Sequence, residues 1–142
     1  MSSPDQPLRS DCPISYSLEI FGDRWTLIVL RDLLLKSRYR YNELAAAEEK
    51  IATNVLADRL ARLERRGLIV KSRDPGDARR FVYRPTETAV ALVPMLVEMI
   101  VWGVRTSGLH PDSGFVRRYE TDRDGLVADM CAGIRANAGL DT

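Results

Sequence analysis

A chain of 142 residues, 45% hydrophobic and 29% charged, has the make-up of one ordinary globular domain and not of a disordered polypeptide. Its net charge of +1 gives no global attraction to nucleic acid. Two cysteines, Cys12 and Cys131, make no disulfide framework, and the polar start MSSPDQPLRSD lacks the apolar core of a signal peptide, so a cytoplasmic protein is expected.

Residues 1–11, with Pro4 and Pro7, are expected to form a flexible arm. Pro13 suits the first turn of a helix, which places Cys12 at or next to the N-cap. Ile14, Leu18 and Phe21 give that short helix an apolar side, and Gly22 stops it. A second, hydrophobic helix runs from Asp23 through DRWTLIVLRDLLL, with Trp25 as a core anchor. Arg38 to Tyr41 reads as a small strand. Asn42 is expected to cap a helix over Glu43 to Glu49, and a turn at Lys50-Ile51-Ala52 leads into the next helix.

That helix, IATNVLADRLARLERR, organises the rest. Leu56, Leu60 and Leu63 recur at i, i+4 and i+7, the spacing of a buried stripe. Asn54, Asp58, Arg62 and Arg65 fall opposite, with Val55 and Arg59 on the shoulder. Thr53 is expected to cap its start and Gly67 to turn left-handed at its end. Two short helices, a brief turn and a second helix bearing arginines and an amide make a helix-turn-helix, whose second helix suits the major groove of DNA.

After Gly67, Leu68–Ser72 and Arg80–Arg84 alternate as strands around a stretch of turn formers from Arg73 to Arg79. A hairpin in this position is a wing, and its Arg73, Arg79 and Arg80 are placed to reach phosphates or a minor groove. From Thr53 to Arg84, nine basic residues stand against four acidic ones, a local +5 on a remainder of −4.

Thr86 and Glu87 open a single long helix, TETAVALVPMLVEMIVWGVRTS. It is apolar nearly all round between Ala89 and Val104, and Pro94 is expected to bend it. An apolar run of about 16 residues containing Glu98 is short for a membrane span, so a partner subunit is expected to cover one face. Gly108 to Gly114 is a linker. Asp124 is expected to cap a last helix over Gly125 to Asn137, with Leu126, Met130 and Ile134 on one face.

The candidate DNA contacts are therefore Thr53, Asn54, Val55, Asp58, Arg59 and Arg62 on the helix and Arg73, Arg79 and Arg80 on the wing. Asn54 suits adenine, and Arg59 or Arg62 suits guanine or phosphate. Asp58 would repel phosphate, so it is expected to orient an arginine or accept from cytosine. Cys12, near a helix N-terminus and close to Arg9 in sequence, is a candidate redox sensor. No catalytic residue, metal site or cofactor is expected. His110 is the only histidine, Glu48 and Glu49 are adjacent and point apart, and no phosphate loop or nucleophile elbow occurs. The alternative is a winged-helix protein-interaction or ligand-binding module that does not touch DNA.

The motifs Cys12-Pro13, Gly22-Asp23-Arg24-Trp25-Thr26-Leu27, Arg31-Asp32-Leu33-Leu34, Tyr41-Asn42-Glu43-Leu44, Leu56-Ala57-Asp58-Arg59-Leu60, Leu63-Glu64, Gly67-Leu68, Tyr83-Arg84-Pro85-Thr86 and Trp102-Gly103 follow in order. Together they resemble the HxlR-type bacterial transcriptional regulators, relatives of the MarR group, over roughly Cys12 to Val104. The chain departs from that family at Ala52 and Ala57, where serine is frequent, and at Asn54, where a basic residue is. The resemblance implies a mainly α, dimeric winged helix-turn-helix with a small β wing. It also implies a homodimer on inverted-repeat operator DNA, acting as repressor or activator and responsive to a small-molecule or redox signal; some members sense oxidants or electrophiles through the cysteine of the Cys-Pro motif, which here is Cys12. Three parts are expected: the arm at 1–11, a winged helix-turn-helix domain with dimerisation helices at 12–107, and a C-terminal helical extension at 112–142.

Overall fold

The computed structural model describes residues 8–140. Residues 1–7 of the expected arm and residues 141–142 of the expected extension lie outside the described residues. The chain divides into two compact units, one ending at Thr86 and one starting at Glu87.

In the first unit, α1 spans Pro13–Phe21, with Cys12 as N-cap and Pro13 in its first turn. The Gly22 N–H closes it on the Leu18 carbonyl at 2.8 Å. Helix α2, Arg24–Leu35, starts at Asp23, whose carboxylate accepts from the Thr26 N–H at 3.2 Å. It supplies Val29, Leu30, Leu33 and Leu34 to the core.

Helix α3 is short, Tyr41–Ala45, and its N-cap is Arg40 rather than the expected Asn42. Glu43 Oε1 accepts from the Arg40 N–H at 3.1 Å, which closes the first turn. The helix stops well before Glu49 because the next residues serve other contacts. Ala47 and Ile51 turn into the core, Lys50 takes a left-handed φ of 61°, and Glu49 is drawn to Arg31. The strand expected at Arg38–Tyr41 is reduced to a single bridge between Arg40 and Val82 and one bond from the Tyr83 N–H to the Tyr39 carbonyl at 2.7 Å.

Helix α4, Thr53–Arg65, buries Leu56, Leu60 and Leu63. Thr53 does not cap it. Ala52 is the N-cap, and the Thr53 carbonyl instead accepts from the Tyr41 hydroxyl at 2.9 Å. Gly67, at φ 75°, ends the helix as expected, and the Leu68 N–H returns to the Leu63 carbonyl at 2.9 Å. Strands β1 (Ile69–Asp74) and β2 (Asp77–Pro85) pair antiparallel, with Lys71 opposite Tyr83 and Arg73 opposite Phe81. Val82 points inward to the core, while Phe81 stays on the outer face.

The second unit contains α5 (Glu87–Val90), α6 (Val93–Ser107) and α7 (Gly114–Ala138). The expected single helix from Thr86 to Ser107 is broken at Ala91-Leu92. Pro94 has no N–H for the Val90 carbonyl, so it sits in the first turn of a new helix instead. Glu87–Ser107 has the length and hydropathy of a membrane span, but after this break α6 measures only about 22 Å at 1.5 Å per residue.

Helix α7 begins well before the expected Gly125. The Ser113 hydroxyl accepts from the Val116 N–H, and the helix kinks at Asp122. Asp122, not Asp124, caps the second stretch, accepting from the Gly125 N–H at 3.0 Å. Polar pairs tie α7 to its neighbours: Tyr119 and Arg123 bond Glu98 at 2.8 and 2.9 Å, and Arg135 bonds Glu87 at 2.9 Å.

Candidate nucleic-acid interface

The buried stripe of α4 fixes which of its side chains face out. Leu56, Leu60 and Leu63 are at most 2% exposed, so the helix cannot roll without opening the core. Thr53, Asn54 and Asp58 are thereby exposed, while Val55 and Arg62 are half-buried. The Tyr41 bond to Thr53 pins the N-terminal turn of α4 against α3.

Arg59 lies differently from the expectation of an outward-reaching arginine. Its side chain is 17% exposed and its Nε donates to Asp23 Oδ2 at 2.7 Å. Its Nη1 donates to Asp58 Oδ2 at 2.5 Å, and the same oxygen takes the Arg62 Nε at 2.9 Å. Burial alone would raise the Asp23 carboxyl, but its bonds from the Thr26 hydroxyl and the Arg59 guanidinium outweigh burial and hold it below the usual range.

The wing arginines do reach outward. Arg73, Arg79 and Arg80 are all exposed. Arg73 Nη1 donates to the Ala78 carbonyl at 2.7 Å, and its guanidinium lies 4.8 Å from the Phe81 ring centre. Lys71 sits 4.3 Å over the same ring. Asp77 accepts from Arg79 and lies by Arg80, and the Arg79 bonds hold its carboxyl below the usual range.

The hairpin turn is set by Asp74, a buried carboxylate that sequence reasoning passed over. It accepts from Arg40 Nε at 2.7 Å and from the Gly76 N–H at 2.9 Å, and these two bonds keep it ionised. Arg40 thus ties the wing tip to the start of α3. Arg40, Tyr41 and Asn42 face Arg80, Phe81 and Tyr83 across a cleft of about 410 Å³, so the wing and the helix-turn-helix frame one continuous surface. Behind this surface, Arg31 grips Glu49 through two bonds of 2.6 and 2.9 Å and also bonds the buried Asp32 at 2.9 Å.

Cys12 is exposed and its N–H is bonded to Ser10 Oγ at 3.3 Å, while the nearby Arg9 is paired with Glu19 at 2.8 Å. Among the described residues no cluster of three or more His, Cys, Asp or Glu side chains is placed to hold a metal ion.

Residues 20–110 match the family described as HxlR-like helix-turn-helix. An HTH-type transcriptional regulator of Halalkalibacterium halodurans is 30% identical over 95 residues, spanning 67% of this chain and 84% of the relative. Among solved structures, a MarR-family transcriptional regulator of Porphyromonas gingivalis W83 superposes with a TM-score of 0.61 at 29% identity, covering 71% of this chain and 98% of its own. The reduced form of the Bacillus subtilis transcriptional regulator YodB superposes with a TM-score of 0.55 at 25% identity, covering 72% and 98%.

Proposed function

The chain belongs to the HxlR-like helix-turn-helix family of transcriptional regulators, and from that premise we propose that it binds inverted-repeat operator DNA as a homodimer, with α4 in the major groove and the wing on the flanking backbone. The observation that carries this reading is the outward face of α4, Thr53, Asn54 and Asp58, presented in one compact unit with the exposed wing arginines Arg73, Arg79 and Arg80. Thr53, Asn54, Val55, Asp58 and Arg62 form the groove-facing set, with Arg59 supporting it from its bond to Asp23. The wing arginines supply phosphate contacts.

A second copy is supported by two unpartnered apolar faces. Helix α1 has no buried residue, with Ile14 72% and Leu18 56% exposed. In the other unit, α6 exposes Trp102 at 70% and Met99 at 49%. Homodimerisation on these faces would cover both and give the two-fold symmetry an inverted repeat requires. The same pairing accounts for the apolar Glu87–Ser107 segment without a membrane, and the chain is read as a cytoplasmic regulator of transcription, repressor or activator, without catalytic activity.

The signal is read as redox or small-molecule in nature. Cys12 carries the redox reading, since it is exposed at the start of α1 and YodB, a structural relative, is described in a reduced form. Intact-mass measurement after diamide treatment tests it, and an unmodified Cys12 would end it. DNA binding itself is tested by in-vitro selection of duplexes from a random pool, followed by fluorescence anisotropy and sedimentation of the complex. The expected result is an inverted repeat bound by two protomers. No enrichment over random duplex would overturn the proposal.

A further inference from the structure

The middle of the α4 face carries charges in an unexpected order. Asp58 is the most exposed of the four charged side chains there, at 44%, against 33% for Asp23, 25% for Arg62 and 17% for Arg59. The outermost charge is therefore negative, and both arginines lie behind it.

The bonds explain why. Thr26 Oγ1 donates to Asp23 Oδ1 at 2.6 Å, Asp23 Oδ2 takes Arg59 Nε, and Arg59 and Arg62 converge on one oxygen of Asp58. Two carboxylates and two guanidiniums sum to zero. On the wing, Lys71, Arg73, Arg79, Arg80 and Arg84 against Asp74 and Asp77 leave +3. The attraction for phosphate is thus concentrated on the hairpin, and the groove-facing centre is neutral with a carboxylate foremost.

We infer that Asp58 is a specificity-determining residue of this protein, held outward by Arg59 and Arg62, and that Asp23 acts as a positioning residue by fixing Arg59 on the body of the domain. The inference rests on the DNA-binding reading above. A carboxylate in the groove repels phosphate and accepts from an exposed amino group, which among major-groove edges suits the N4 amine of cytosine. Misregistered or wrong-sequence duplex then meets an unpaired negative charge, so discrimination comes from a penalty as well as from a bond. The two arginines behind it are already ordered, which keeps the carboxylate in one orientation before DNA arrives.

Asparagine substitutions separate this role from a structural one. Asn is as good an N-cap as Asp, so Asp23→Asn keeps an acceptor for the Thr26 N–H, while it loses the charge that holds Arg59 and leaves the Thr26 hydroxyl to accept from the new amide instead of donating. The experiment uses the full chain, the duplex selected by the wild type, and a random duplex of the same length. Asp58→Asn is expected to bind random duplex several-fold more tightly. Its selected-to-random affinity ratio should fall about tenfold, because the charge that repels wrong duplex and strengthens the cytosine contact is gone. Repeating the selection with this variant should drop a cytosine preference from one position of each half-site.

Asp23→Asn is expected to lower the ratio in the same direction with little change in melting temperature, and to have no further effect in an Arg59→Ala background. A ratio unchanged within about twofold for Asp58→Asn, at intact binding, overturns the inference. So does an Asp23→Asn effect that persists without Arg59. If the wild type itself fails to distinguish selected from random duplex, the operator reading falls instead.

Discussion

Replacing wing arginines with alanine tests the distribution of charge most directly. Arg79 is 91% exposed and Arg80 61%, and both lean on Asp77, at 3.2 and 3.7 Å. Neither is committed to the core, so their removal leaves the fold unchanged and subtracts only charge. Each phosphate that a side chain neutralises contributes about 0.9 to the slope of log K against log salt. A homodimer carries two wings, so Arg79→Ala is expected to lower the slope by about 1.8, and Arg79→Ala with Arg80→Ala by about 3.6. Between about 50 and about 200 mM salt, the single substitution removes roughly a 12-fold part of the salt sensitivity. Anisotropy titrations of the selected duplex across that range give the slope, and Arg79→Lys should restore it. An unchanged slope at intact binding would take the wing off the phosphates. A loss of only about 0.9 per substitution would mean that one wing, not two, reaches the backbone.

Three further outcomes follow from the packing. Leu60→Ala, in a site 2% exposed under α4, should cost about 3 kcal/mol in urea unfolding, and a loss below about 1 kcal/mol would mean the stripe does not anchor the helix. Glu49 is held down to about 2 by the Arg31 bonds, below its ordinary 4.5. The stabilisation it gives is therefore complete above 4.5 and lost as pH falls toward 2; Glu49→Gln should flatten acid unfolding followed by circular dichroism in that window, and an unaltered profile would refute the assignment. Trp102→Asp should convert dimer to monomer in sedimentation velocity, and a dimer that persists would remove the exposed face of α6 from the interface.

The parts of this protein that local chemistry decides were legible in its residues. The three leucines of α4 and the left-handed Gly67 declare themselves within a few positions and are where they were expected, while the two strands run further into the expected Arg73–Arg79 turn, to Asp74 and from Asp77. The errors fall where a distant contact overrides a local preference. Asn42 is a good cap by type, yet Arg40 takes that place because it bridges Val82 and bonds Asp74. Ala46 to Glu49 is a fair helical stretch, yet Glu49 is drawn to Arg31 and the helix ends early. The first half of α7 precedes the expected start at Gly125, and its Tyr119 and Arg123 find their partner, Glu98, on another helix.

The candidate site divides along the same line. Asn54, Asp58 and the wing arginines could be named from pattern, because exposure on an amphipathic helix or a hairpin follows from spacing. The placement of Arg59 could not. Its partner Asp23 is 36 positions away and announces itself only as a helix cap, a role it also fills. Spacing therefore names the exposed side chains of the candidate surface. Which of them touch DNA, and which hold the others still, is decided by the charges the fold brings up behind them.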